Sequence, residues 1–278
     1  MPLPAPSRGH NLPLGALVQS GATVNVRVMS RHFRSKDIAP VSPAASTPSV
    51  PTVLLVGASR GLGHAMATEF LTRGWHVIGT VRAGARTRLH ELAEDHEGRV
   101  EVETLDINAP DQIAALRDRL SGRVLDVLFV NAGTTTRDEH VPIGDVTTEE
   151  FTRVMVTNAL SPMRVIETLQ DLVAAAGLIG AMSSGQGSIA NNERGMREVY
   201  RASKAALNMS MRSFAARQAG TPRAMVLMAP GWVRTELGGP DAPFSIEESV
   251  PLVVDVLVAT RGTPGLQYLD RFGRTVPW

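Results

Sequence analysis

From Thr52 onward the chain alternates between short apolar runs and longer stretches whose apolar positions recur at helical spacing. The runs Val53–Val56, His76–Val81, Val100–Thr104, Val124–Val130, Leu178–Met182, Ala224–Met228 and Leu266–Tyr268 read as strands, most of them bounded by Gly, Pro, Asn or Asp turn signals. Helical periodicity covers 62–73, 86–95, 110–120, 148–174, 200–218 and 246–260. Strand and helix in regular alternation predict an α/β fold whose parallel sheet carries helices on both faces. Right-handed crossovers make that sheet doubly wound, and ligands then sit beyond the carboxyl ends of the strands.

Residues 1–50 break the pattern. They are rich in Pro, Ser and Arg, holding Arg8, Arg27, Arg31, Arg34 and Lys36 against one acid, Asp37. Such a composition buries too little apolar surface to offset its ordering entropy, so the segment reads as a disordered or targeting N-terminal extension. The alternation of Val24, Val26 and Val28 suggests at most a stray strand. Residues 51–278 then form a single nucleotide-binding domain with no internal repeat.

Composition narrows the chemistry. Among 278 residues there is no cysteine, which excludes disulfides, thiolate nucleophiles and Cys-ligated metals. A net charge of +1 argues against a nucleic-acid partner. The longest apolar run, Leu172 to Met182, is too short to span a bilayer. The seven histidines are scattered without ligand spacing, so no metal site is expected. There is no GxSxG, HExxH or Walker lysine either.

The first predicted strand breaks into Gly57-Ala58-Ser59-Arg60-Gly61-Leu62-Gly63, and a helix pattern follows at once. Glycines at such a turn let the backbone approach a pyrophosphate, which rests on the helix N-terminus. The second strand ends at Arg82 where an acid would favour NAD, and Arg60 lies in the glycine turn. Two guanidiniums near one ribose suit a 2′-phosphate, so NADP(H) is the favoured cofactor and NAD(H) the alternative. Asp106 and Ile107 end the third strand; the carboxylate either accepts from an adenine amino group or caps the following helix.

Asn131-Ala132-Gly133 close the fourth strand with small residues that admit a flat ligand, and Asn131 is placed to brace a neighbouring strand. Asn158 falls on the apolar stripe of its helix and therefore needs partners, one candidate being the carbonyl that Pro162 leaves free. Tyr200 and Lys204 stand four apart on one helix face, so the ammonium is expected to lower the phenol's pKa and make it a general acid or base. They are one of two tyrosines and one of two lysines in the chain. Ser183 and Ser184 end the fifth strand and offer a hydroxyl to the same place. Pro230-Gly231-Trp232-Val233-Arg234-Thr235 follows the sixth as a turn fit to clamp a ring and a diphosphate.

Together these residues resemble the short-chain dehydrogenase/reductase superfamily over 51–278, and within it the C-factor-like branch of carbonyl reductase relatives. The glycine motif at 57–63, Asp106, Asn131-Ala132-Gly133, Asn158, Tyr200-Arg201-Ala202-Ser203-Lys204 and Pro230-Gly231 occur in the superfamily's order. The branch resemblance rests on 183–189, 200–209, 230–235, 238–243 and the ending Gly273-Arg274-Thr275-Val276-Pro277-Trp278.

The resemblance implies a Rossmann sheet of about seven strands in the order 3-2-1-4-5-6-7. It implies a soluble cytoplasmic oxidoreductase moving hydride between nicotinamide and a carbonyl or alcohol, or an organelle-targeted one if residues 1–50 are a transit peptide. Asn158, Ser184, Tyr200 and Lys204 would be catalytic. Gly57, Ser59, Arg60, Gly61, Leu62, Gly63, Arg82, Asp106, Ile107, Asn131, Ala132, Gly133, Tyr200, Lys204, Pro230, Gly231, Val233 and Thr235 would bind cofactor.

In that scheme Tyr200 donates the proton, Lys204 tunes it and holds the ribose, Ser184 polarises the carbonyl, and Asn158 holds a relay water. Two departures stand out. Gly187 occupies the common serine position 13 before the tyrosine, so Ser184, 16 before, takes the role; and Val56 replaces the usual Thr at the motif's start. The loops 134–146, 185–199 and 236–248 would set substrate preference. The helices at 148–174 and 200–218 would make a homodimer or homotetramer, with a monomer as the alternative. A signalling or cofactor-sensing protein with little turnover is the competing function.

Overall fold

The computed structural model describes residues 50–278, and the expectations for the preceding leader lie outside the described residues. Seven strands build one sheet: β1 (Thr52–Val56), β2 (His76–Val81), β3 (Val100–Thr104), β4 (Leu125–Val130), β5 (Val173–Met182), β6 (Ala224–Ala229) and β7 (Gly265–Asp270). Their order is β3-β2-β1-β4-β5-β6-β7, parallel throughout. Chain direction across the sheet reverses between β1 and β4, where Val56 pairs with Val130. Helices leaving neighbouring strands go to opposite faces there, so their loops part and open a crevice.

The strands are apolar on both sides because both faces are covered. On β1, Leu54 and Val56 pack with α3 (Pro110–Arg119), α5 (Ser161–Leu169) and α6 (Glu198–Arg217). Val53 and Leu55 pack with α1 (Gly61–Thr72), α2 (Arg88–Asp95) and α7 (Ile246–Thr260). Alternate residues of one strand thus feed two separate cores.

The predicted helix 148–174 is where the structure departs most from the pattern. It divides into α4 (Thr148–Met155), a π-helical turn at Val156–Leu160, α5, and a 3-10 turn at Gln170–Leu172. Pro162 has no N–H to give to the preceding turn, which favours a widened turn ahead of it. Val173 and Ala174 fall at the end of the predicted helix, yet with residues 175–177 they are the start of β5. Val173 pairs with Leu125 across a bulge, and a Cβ on Gly177 would come within 2.8 Å of Asp126 O. Pairing with β4 therefore overrides local propensity.

Candidate active site

The carboxyl ends of the strands surround a cleft of about 1120 Å³. Every residue expected to bind cofactor or react lines it except Gly63 and Asn158. A smaller recess of about 720 Å³ adjoins it, bordered by Arg60, Arg82, Arg86 and Arg88.

The glycine turn is shaped by contacts that leave no room for side chains. Gly57 has φ +88°, and a Cβ there would lie 2.8 Å from the Ala132 Cβ. Gly61 has φ +56° and opens α1. Gly63 is a packing residue: a Cβ on it would meet Gly57 O at 2.0 Å and Asn131 Nδ2 at 2.6 Å. Asn131 braces the turn as expected, its Nδ2 donating to Gly57 O at 2.8 Å. The hydroxyl lost at Val56 has a substitute that the sequence reading missed. Thr80, at the end of β2, accepts from Gly57 N–H through Oγ1 at 2.9 Å and from Ala58 N–H through its carbonyl at 2.8 Å.

At the β2 and β3 ends, Arg82 borders both cavities, joined by Arg88, which the sequence reading did not single out. Arg60 pairs with Glu236 at 2.5 Å, linking the glycine turn to the loop after β6. Asp106 is not a helix cap. The N-cap of α3 is Ala109, without a side-chain bond, and Asp106 Oδ1 instead accepts from Asn108 N at 2.9 Å. The Pro230-Gly231 turn is held from α7, where Ser249 Oγ donates to Pro230 O at 3.1 Å. Gly231, at φ +91°, leaves space for the Arg271 guanidinium, 2.2 Å from where a Cβ would be.

The reactive end is assembled on α6. Tyr200 and Lys204 are both buried, and Lys204 Nζ lies 5.8 Å from the tyrosine ring centroid. The ammonium donates to Met182 O at 2.9 Å. Burial lowers its pKa to about 8. Burial also holds the Tyr200 phenol above its usual range, opposed by Ser184 and Arg197. This differs from the expectation that Lys204 would lower that pKa: desolvation dominates, and the nearer countering cation is Arg197, whose Cζ stands 5.0 Å from the ring centroid.

Of the two serines, Ser183 is consumed by Asn208, to whose Oδ1 it donates at 2.6 Å. Ser184 Oγ borders the cleft and accepts from Gln186 N–H at 3.1 Å, which leaves its own proton to give. Its main-chain carbonyl accepts from the Tyr268 hydroxyl. Asn158 does not serve a carbonyl freed by Pro162. Its Oδ1 accepts from Thr134 N at 2.8 Å, and its Nδ2 donates to Thr134 O at 2.8 Å and Ser203 Oγ at 2.9 Å. It ties the end of β4 to α6 from behind the cleft.

A family model for enoyl-(acyl carrier protein) reductase matches residues 57–248. The chain belongs to the short-chain dehydrogenase/reductase family. This dehydrogenase/reductase is 35% identical to the C-signal protein of Myxococcus xanthus over 156 residues, 55% of this chain and 93% of that one. It shares 70% identity and a TM-score of 0.82 with a Burkholderia multivorans chain assigned to the same family and solved with bound NADP, over 82% of this chain and 100% of that one. A carbonyl reductase of Pseudomonas aeruginosa PAO1 in complex with NADP shows 35% identity and a TM-score of 0.77, over 83% and 100% of the two chains. The chain is thus an oxidoreductase of this family with the Rossmann sheet that its motifs implied. Among the described residues no helix is long and apolar enough to cross a membrane, and no three metal-ligating side chains are grouped.

Proposed function

We propose that the protein is an NADP(H)-dependent carbonyl reductase or alcohol dehydrogenase working through Tyr200. The carrying observation is one cleft that has a side-chain-free glycine turn at its centre, arginines at one end and Tyr200, Ser184 and Lys204 at the other. The arrangement fits a dinucleotide on its own terms. Gly57 and Gly133 keep the floor bare: a Cβ on Gly133 would come within 3.4 Å of Lys204 Nζ. The N-terminus of α1 faces the place for a pyrophosphate, and Arg60, Arg82 and Arg88 supply positive charge for a 2′-phosphate. When bound, the nicotinamide supplies or accepts the hydride.

The chain's own residues handle charge and protons. Tyr200, kept protonated through neutrality by burial, donates to the alkoxide that develops during reduction. Ser184 Oγ–H polarises the carbonyl, as its oxygen already accepts from Gln186 N–H. Lys204, anchored on Met182 O, would hold the ribose hydroxyls with its remaining protons. Asn158 acts as a brace, because its amide is spent on Thr134 and Ser203. Intact acid–base machinery at the end of a binding cleft supports turnover over a sensing role.

Titration of the purified protein with NADPH and NADH, followed by a panel of carbonyls read as NADPH oxidation, tests this. Tyr200→Phe is expected to bind NADPH normally and to lose about two to four orders of magnitude in turnover. Undiminished turnover in that variant refutes the assignment.

A further inference from the structure

Tyr200 has two cations beside it, and only Lys204 is accounted for by the mechanism. The second is Arg197, the residue directly before α6, whose guanidinium Cζ stands 5.0 Å from the ring centroid. We infer that Arg197 is a positioning residue that sets the acidity of Tyr200, with Glu139 as its counterweight. The inference rests on the reading of Tyr200 as the proton donor and adds to it the pair that adjusts that donor.

Four observations carry it. Arg197 holds a left-handed backbone, φ 53° and ψ 38°, directly before α6, and Met196 before it has φ 59°. No other non-glycine residue among those described has a positive φ. Such geometry is unfavourable for a side chain with a Cβ and persists only where surrounding contacts enforce it. Arg201 holds this backbone, its N–H donating to Arg197 O at 2.9 Å and its Nε to Met196 O at 2.9 Å, and further contacts stand at the far end of the Arg197 side chain. The guanidinium pairs with Glu139 and donates to Thr135 Oγ1 at 3.4 Å, and Thr135 Oγ1 in turn donates to Glu139 Oε1 at 3.0 Å.

The pair is also sheltered, with side-chain exposures of 15% for Arg197 and 33% for Glu139, so solvent screens it less than a surface pair. Finally, the pair spans two loops that border the reactive end. Glu198 beside it makes a second crossing by accepting from Ile143 N at 3.1 Å. The loop after β4 is thereby fastened over the start of α6.

Other charged groups border the same end of the cleft. Lys204 on α6 donates to Met182 O, and Arg153 on α4 is held by Glu150 and Thr134. Tyr268 on β7 and Ser184 after β5 are neutral. Arg197 favours the phenolate and Glu139 opposes it, the same signs that their charges impose on the phenol's titration. A negative charge developing on the substrate oxygen beside Tyr200 would meet the same field. Glu139 keeps Arg197 in place while moderating how far it acidifies the tyrosine.

The test uses the fact that the chain has only two tyrosines. Protein labelled with carbon-13 at tyrosine Cζ gives two signals, assigned with Tyr268→Phe and titrated with pH without cofactor or substrate. Arg197→Met is expected to raise the Tyr200 midpoint by about one pH unit, and Glu139→Gln, which keeps the hydrogen-bond acceptor and removes the charge, to lower it. Arg197→Lys should recover part of the first shift. In the holoenzyme, the pH at which alcohol oxidation rises should move the same way in each variant.

A merely structural role would move both variants in one direction or neither. A Glu139→Gln midpoint at or above that of the unaltered protein overturns the inference, even if Arg197→Met fails to fold. Turnover surviving in Tyr200→Phe would instead remove the proton-donor reading, while the titration would still report on the pair.

Discussion

The N–H of Gly57 donates to the side-chain hydroxyl of Thr80 across 2.9 Å, joining the first residue of the glycine turn to the end of the neighbouring strand. Thr80 is buried, and its carbonyl takes the next N–H as well. Thr80→Val keeps the shape but leaves a buried donor without a partner, which costs about 1–3 kcal/mol. Urea unfolding should show that loss and NADPH should bind more weakly, with Thr80→Ser close to the unaltered protein. An unchanged midpoint in the valine variant would mean that water reaches Gly57 N–H.

Lys204 gives the cofactor-free protein a characteristic pH dependence. Its folded pKa of about 8 lies below the ordinary 10.5, so the unfolded chain binds more protons between these values. Stability attributable to Lys204 therefore rises with pH through that window, by on the order of 3 kcal/mol in total. Below about pH 8 the penalty is constant. Lys204→Met lacks the effect, so the difference between the two unfolding midpoints should narrow, or change sign, from pH 8 to pH 10. A constant difference would place the ammonium in contact with water.

Tyr268 is placed to act through Ser184, to whose carbonyl its hydroxyl donates. Its ring packs against Trp278 at 5.3 Å between centroids, and Trp278 O accepts from Ala190 N at 3.0 Å, so the end of the chain steadies the serine loop. Tyr268→Phe should lower kcat about tenfold with little change in KM for NADPH. In a Ser184→Ala background the same substitution should cost almost nothing. Additive losses would show that Tyr268 works elsewhere.

Arg82 should separate the two nicotinamide cofactors. Arg82→Ala removes a charge-assisted partner for a 2′-phosphate, worth about 10- to 100-fold in NADPH affinity, and leaves NADH affinity nearly unchanged. Equal losses for both cofactors would assign Arg82 to the ring or the pyrophosphate.

Gly63 does not border the cleft, yet it should be among the least replaceable glycines. The nearest atoms to a Cβ there, Gly57 O and Asn131 Nδ2, belong to the turn itself. Gly63→Ala is expected to destabilise by on the order of 3 kcal/mol, measured by thermal unfolding, and to disturb cofactor binding only through that loss.

The alternation of apolar runs and helical stretches determined the parallel sheet, and the strand–glycine–helix passage at 53–63 determined where a dinucleotide would lie. Tyr200 and Lys204 declared themselves by a four-residue spacing, because a helix turns local spacing into a shared face. These features depend on neighbours in the chain, so the sequence by itself carries them.

What came only from the tertiary structure depends on residues far apart. Thr80 replaces the hydroxyl missing at Val56 through strand pairing, and the engagement of Ser183 by Asn208, 25 residues later, could not be read from the chain. Val173 became strand because Leu125 on β4 offers it a partner, and Asn158 became a brace because Thr134 and Ser203 reach it. The acidity of Tyr200 was beyond any spacing rule, since burial and the charges around a phenol are sums over the whole fold.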